Sequence, residues 1–327
     1  MGFINAIPGA IAQGLIWGLF AIGLYISYKI LDIADLTVDG SICTGACVLA
    51  VMLSNGINVY ICLVAAFVAG ALAGVITGLF HTAMGIPAIL SGILTQLMLW
   101  SINLKILGKA NLSISSRKYS VLLSSIDTVG SIFVALAFCV LVIVGLYLFF
   151  YTEIGFSLKS TGDNEHMSRA QGINVNFNKV LGLAISNGIV ALSGALLAQY
   201  QGFADINMGR GAIVIGLAAI IIGLSVSLKI KPNFVVSLIG VVSGGITYYL
   251  VYQFVIWLGL DTDLLKMLSA LVVAGFLALP HIKKSTRDFT ILHIPVITHV
   301  ALIMRLDMLY QISLQDPLKN TKATLFS

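Results

Sequence analysis

Asn58-Val-Tyr-Ile-Cys-Leu-Val-Ala-Ala-Phe-Val-Ala-Gly70-Ala-Leu-Ala-Gly74-Val-Ile-Thr-Gly78-Leu-Phe-His-Thr-Ala83 runs without one Asp, Glu, Lys or Arg. It exceeds the ~18 apolar residues that mark a bilayer-crossing helix, and a helix satisfies the backbone of such a run inside hydrocarbon. Gly70, Gly74 and Gly78 recur every fourth residue, a small-xxx-small face that lets a second helix approach closely. Gly14/Gly18 and Gly240/Gly244 repeat that spacing. Similar runs lie near 7–30, 36–53, 86–107, 128–150, 179–203, 211–229, 233–257 and 264–281. With 58–83 they predict an all-α polytopic membrane protein of about nine transmembrane helices. Composition agrees. Only 9% of the 327 residues are charged, against about 25% in a soluble domain, too few to cover a water-facing surface.

The formal charge of +5 does not point to nucleic acid. Cations sit at the ends of apolar runs, with no basic stripe or interleaved aromatic face, so they read as orientation signals. Lys29, Lys159, Arg169, Lys179, Lys229, Lys231, Lys283, Lys284 and Arg287 fall on one side; Lys105, Lys109, Arg117, Lys118 and Arg210 fall on the other. The larger set marks the cytoplasmic side and places the N-terminus outside, although the cations between Lys105 and Lys118 oppose it. Met1 to Pro8 lack a positive n-region, so 7–30 reads as a retained span. Cys43, Cys47, Cys62 and Cys139 lie in apolar runs without a CxxC, which suggests packing rather than disulfides or zinc. The chain has no GxxxxGK[ST], HExxH or GxSxG, so neither catalytic residues nor a metal site are expected.

An internal repeat is visible. Ala10-Ile-Ala-Gln-Gly14 resembles Ala184-Ile-Ser-Asn-Gly188, and each span is followed by a polar break: Ala34-Asp-Leu-Thr-Val-Asp-Gly40 and Ala204-Asp-Ile-Asn-Met-Gly-Arg-Gly211. Gly45 and Gly216 follow the breaks at equal distances. An offset of five spans turns the copies over, giving an inverted repeat of two five-helix halves, a recurring transporter architecture. Acidic residues keep to breaks and loops, which weighs against an ion-coupled secondary transporter or channel, the alternative reading.

The stretch from Tyr151 to Lys179 is long for a structureless connection. Asp163 or Thr161 suits an N-cap, Glu165 the first turn, Arg169 the last turn and Gly172 the left-handed position beyond it. These signals predict a helix of about two turns, ~12–14 Å long, too polar for lipid. Met167 and Ala170 share a side that fits a partner's groove; a solvated surface helix is the plainer alternative.

Gly162-Asp-Asn-Glu-His-Met-Ser-Arg-Ala-Gln-Gly-Ile-Asn174, with Leu181 to Gly188 and Ala191 to Gly202, resembles ABC importer permeases of the branched-chain amino acid and ribose type, nearest to the tryptophan/tyrosine-type permeases. The resemblance takes in Ala34 to Ser41, Gly92 to Thr95, Trp100 to Leu104 and Ile213 to Ala219, and covers about residues 5 to 284. It implies a transmembrane permease domain over 1–284, with a cytoplasmic coupling loop at 151–178 and an atypical tail at 285–327. In such permeases the loop docks on a separate ATPase. The resemblance therefore assigns ATPase coupling to Gly162, Asp163, Asn164, Glu165, Met167, Arg169, Ala170 and Gly172.

It further implies a second permease subunit as homodimer partner, two cytoplasmic ABC ATPase subunits and an extracytoplasmic solute-binding protein. No cofactor is expected in this chain, since ATP is bound by the partner subunits. The location is the bacterial inner membrane. The substrate expected is an amino acid, aromatic or branched-chain. Asp35, Thr37, Asp39, Gln96, Asn103, Asn187, Asp205 and Asn207 are the expected pathway residues, with helix capping the alternative role for Asp39 and Ser41. The chain departs from the family at Leu224-Ser225-Val226, where an acidic residue is usual, and in the tail beyond Arg287.

Overall fold

Helix α1 (Gly2–Tyr25) runs on into a π-helical turn, Ile26–Ile30, and ends where polar side chains engage the backbone. The Ser27 hydroxyl donates to the Leu24 carbonyl (3.1 Å), and the Ile33 N–H closes on the Ser27 carbonyl (2.9 Å). Asp32 takes the left-handed conformation (φ 54°), which a short polar side chain tolerates. The computed structural model describes residues 2–114, 119–227, 233–257 and 274–275. Contacts divide the chain into Met1–Ala278 and Leu279–Ser327; the second unit, with the tail expected to be atypical, lies outside the described residues.

After the break come α2 (Val38–Ser54), α3 (Val59–Thr82) and α4 (Ala88–Leu107). The strand β1 (Asn111–Ser113) precedes α5 (Thr128–Phe150), α6 (Glu153–Asp163), α7 (Glu165–Ala170) and α8 (Val175–Gln201). Strand β2 (Phe203–Asp205), α9 (Ala212–Ser227) and α10 (Phe234–Trp257) follow. β2 pairs antiparallel with β1 in the register Asn111↔Asp205, Leu112↔Ala204, Ser113↔Phe203.

Six of the described helices are long and apolar enough to cross a bilayer: α1 with its π-turn, α3, α4, α5, α8 and α10. This chain is an all-α polytopic membrane protein. The expectation of about nine full spans needs correction at two places. α2 and α9 have 17 and 16 residues, roughly 25 Å against a hydrocarbon thickness near 30 Å. Each starts at a polar break, whose turns a hydropathy average does not register. The expected ninth span, 264–281, lies outside the described residues except for 274–275, which are helical.

The packing carries the inverted repeat. α1–α2–α3 correspond to α8–α9–α10, and each half lays its third helix along the first helix of the other. Gly70, Gly74 and Gly78 of α3 bring it against the α8 backbone at Asn187, Leu183 and Val180. In the other half Gly245 of α10 meets Gly14 and Gly18 of α1, and Gly18 faces Val242. The glycine spacings predicted from sequence are thus the two seams of the bundle.

The first helices cross each other through a symmetric pair of bonds. Ser186 donates to the Gly23 carbonyl (2.8 Å) and Ser193 to the Ile16 carbonyl (3.0 Å). The sequence offset that carries Asp35 to Asp205 also carries Ile16 to Ser186 and Gly23 to Ser193. The likeness of Ala10–Gly14 to Ala184–Gly188 therefore lies one helical turn out of the register that the structure follows. Only the likeness of the breaks is in register. α1 and α8 are the most enclosed spans, whereas α5 shows Phe133, Leu136, Val140, Leu141 and Leu148 outward, a surface only lipid or another apolar chain covers.

Candidate functional site

The two breaks fold alike. Asp35 turns back to accept the Thr37 N–H (2.9 Å), and Asp205 accepts the Asn207 N–H (2.7 Å), the same local Asx turn in both copies. Beyond it they diverge in burial. Asp35 is sealed in the interior, where its second oxygen accepts from Asn187 Nδ2 (2.6 Å). The Asn187 Oδ1 accepts from Ser41 (2.6 Å), and the same Nδ2 reaches the Leu183 carbonyl (3.0 Å). Thr37 pairs with Thr77 (2.7 Å), which donates to Thr95 (2.9 Å). One buried network thus ties the first break to α3, α4 and α8. Asp205 and Asn207 instead sit in the turn after β2, where Asp205 also accepts from Asn111 (3.3 Å).

Asn187→Leu is expected to lower the Tm of the detergent-purified protein markedly. It strips partners from a buried carboxylate and a buried hydroxyl, at ~1–3 kcal/mol for each group left unpaired. Ser41→Ala, which removes one donor, should cost less. Equal melting of Asn187→Leu and wild type would show that the network holds nothing.

Asp39 spans the halves. Its carboxylate accepts from Gly211 N (3.1 Å) and Ile213 N (2.8 Å), so it caps the N-terminus of α9 from α2. The capping role anticipated for Asp39 is real, but on a different helix; Ser41 bonds Asn187 rather than capping. A carboxylate there satisfies orphan N–H groups and complements the positive end of the helix dipole. Gly209, which holds the place of Asp39 in the second copy, packs on the Asp39 carbonyl so closely that a Cβ has no room.

Beside this junction lies a cavity of about 190 Å³, bounded by Asp39, Gln96, Trp100, Asn103, Ile206 and Arg210. Of the expected pathway residues it gathers Asp39, Gln96 and Asn103; Asp35, Thr37 and Asn187 form the network next to it, and Asp205 and Asn207 join neither. Asn103 is 1% exposed, yet neither amide atom has a hydrogen-bond partner among the described residues. Leaving such a group unpaired costs about 1–3 kcal/mol, so it is an anomaly that calls for a ligand or water. Trp100 and Arg210 were not anticipated. The signal for Trp100 exists, because positions 96, 100 and 103 share one face of α4. Arg210 reaches the cavity from a turn far away in sequence, which no local pattern indicates.

At the other end of α8, the 151–178 stretch is more structured than expected. α6 was read as loop; it is a helix whose Thr152 cap accepts the Gly155 N–H (3.2 Å). Asp163 is its last residue and Thr161 is buried within it. The cap of α7 is therefore Asn164, whose Oδ1 accepts the Met167 N–H (3.0 Å), and not Asp163 or Thr161. With six residues α7 is roughly 9 Å long, shorter than predicted, and Gly172 does take the left-handed conformation (φ 81°). Gly162 is pressed on the Ile30 carbonyl at the end of α1. Asn178 of α8 donates to Thr161 (2.9 Å), and Ser160 pairs with Ser168 (2.8 Å). Met167, Arg169 and Ala170 face outward, as do Asp163, Asn164 and Gly172.

Glu165 receives Arg169 Nη2 on one oxygen and Lys179 Nζ on the other, both at 2.8 Å. The hydrogen bond from Lys179, then that from Arg169, holds its carboxyl below the ordinary value of 4.5. A depressed folded pKa stabilises the loop above the unfolded pKa, and that contribution is lost as pH falls through the folded value. Both partners leave Glu165 partly exposed, so each pair contributes only ~0.2–1 kcal/mol. Proteolysis of the 163–172 segment is expected to stay constant from about pH 7 to 5 and to rise below about pH 4; Glu165→Gln should remove that rise.

Comparison with known proteins supports a transport reading. Residues 7–277 match the family described as branched-chain amino acid transport system / permease component. The chain is 39% identical over 275 residues to the tyrosine transport system permease protein of Clostridioides difficile, covering 84% of this chain and 91% of that one. It is 33% identical over 283 residues to a protein of unassigned role from Rickettsia prowazekii, covering 86% and 99%. It is 26% identical over 288 residues to the "probable branched-chain amino acid transport permease protein LivH" of Methanocaldococcus jannaschii, covering 83% and 90%.

Proposed function

The chain belongs to the family of permease components of branched-chain amino acid transport systems, and from that membership we propose that it forms, with a second copy, the passage of an importer for an aromatic amino acid. As a member it is a multi-pass inner-membrane permease subunit of an ATP-driven, binding-protein-dependent ABC importer of amino acids. Such permeases are not enzymes themselves; an ATPase and a solute-binding protein are their partners. In this reading ATP is held by two ATPase subunits on the face where α7 lies. The aromatic preference is taken from the tyrosine transport permease, which shares more identity than the branched-chain relative.

The observation that carries the reading is the stiff connection from α7 to the interior. α7 is fixed to α8 by the Glu165–Lys179 pair, and α6 is fixed to α8 by Asn178 and to α1 by Gly162. α8 bears Asn187 and α1 leads into the break at Asp35, so a displacement of α7 moves both sides of the buried network together. ATPase closure pressing on Met167 and Ala170 supplies the state-dependent contact that any driven conformational change requires. Ion coupling is disfavoured on a separate ground. Both oxygens of Asp35 and of Asp39 already accept protein hydrogen bonds, which leaves neither carboxylate open to a coupling ion.

Membrane vesicles loaded with ATP and supplied with the cognate binding protein test this. Uptake of tyrosine or phenylalanine is expected to need both and to survive collapse of ion gradients. Uptake that ignores ATP and stops with the gradients would overturn it.

A further inference from the structure

We propose that the cavity between α2, α4 and the 206–210 turn is a subsite for an amino acid whose side chain ends in a hydroxyl, with Asn103 reading that hydroxyl, Trp100 flanking the ring and Arg210 pairing the α-carboxylate. It rests on the importer reading and names the substrate contacts within it. The starting point is Asn103. The other buried asparagines are bonded within the protein: Asn178 to Thr161 and Ser157, Asn187 to Asp35 and Ser41. Asn103 is as deeply enclosed and has neither its donor nor its acceptor engaged among the described residues.

An amide offers one acceptor oxygen and a donor nitrogen side by side. A hydroxyl both gives and takes a proton, so it satisfies the pair at once, whereas a hydrocarbon tip satisfies neither. The charged end is provided for separately. Among the described residues no carboxylate lies within ion-pair distance of Arg210, and Asp39, the acid that shares the cavity, spends both oxygens on Gly211 N and Ile213 N. A guanidinium pairs a carboxylate through two parallel bonds. Trp100 and Ile206 provide the apolar wall against which a ring lies. About 190 Å³ is below the ~300–1,000 Å³ of pockets for drug-sized ligands, and it suits one small solute. Weak, selective holding is what a passage requires, since the solute must also leave.

The test uses the whole importer in proteoliposomes, with uptake of tyrosine and phenylalanine measured alongside ATP hydrolysis stimulated by the binding protein. Asn103→Leu exchanges an unpaired amide for an apolar group of similar size, so the protein is expected to fold and its ATP hydrolysis to remain stimulated. The tyrosine-to-phenylalanine uptake ratio should fall roughly 10-fold or more, since a site built to bond a hydroxyl loses that discrimination when the bonding group goes. Arg210→Gln should depress uptake of both amino acids alike. If the wild type carries both and Asn103→Leu leaves the ratio unchanged, the subsite is wrong while the importer reading stands. A wild type that carries neither overturns the aromatic reading and the subsite with it.

Discussion

Met167→Asp is expected to abolish ATP-driven uptake while the protein still inserts and folds. Met167 is 59% exposed on α7, so its own fold does not depend on the side chain, whereas a docked ATPase would have to bury a carboxylate there. Loss of a central apolar anchor is worth about 2 kcal/mol or more, roughly a 30-fold loss of binding, and an unpaired buried charge adds to it. Co-purification of the ATPase and uptake should fall together. Arg169→Leu separates contact from scaffolding. It removes an exposed ion pair of only ~0.2–1 kcal/mol, so a strong loss of uptake in a stably folded protein would place Arg169 in the contact. Wild-type uptake by Met167→Asp would remove α7 from the ATPase interface.

Gly45→Val should be the most damaging single change in the bundle. A Cβ on Gly45 collides with the Ala191 carbonyl of α8, and the obstacle is backbone, which has no rotamer to yield. Gly70 of α3 presses on Ala191 from another helix, so α8 cannot retreat either. Overpacking costs typically ~1–3 kcal/mol, and here it falls on the contact that fixes α2 beside the buried network. A large fall in Tm and in folded yield is expected. Gly145→Ala on α5 is the control: a Cβ there meets nothing, so the helix should keep or gain stability by ~0.5–1 kcal/mol. Equal melting of the two variants would mean that the close approach of α2 and α8 carries no weight.

Much of this architecture is legible in the sequence, for reasons that particular residues make plain. Gly70, Gly74 and Gly78 announce a helix seam because period-four glycines have few other uses in an apolar run. The breaks at Asp35 and Asp205 are legible because the same Asx turn needs the same residue. α6 is not, since Gly155 and Gly162 suggest a loop. They are glycines because the Phe149 carbonyl and the Ile30 carbonyl lie against them, a tertiary demand that overrides helix propensity. The register of the repeat was hidden for a similar reason. It is held by Ser186 and Ser193 bonding carbonyls of α1, and any residue supplies a carbonyl. Within the site, α4 displays its face by spacing, but the arrival of Arg210 depends on how the chain returns after β2.

Asp39 and Gly209 hold matching places in the two halves and touch each other, which puts their contact on the axis that exchanges those halves. When two sides turn by equal and opposite amounts, a point on that axis does not travel; it is a fulcrum. The deepest part of the passage then keeps its shape while its two mouths widen and narrow in turn, and solute meets the same lining from whichever side it comes.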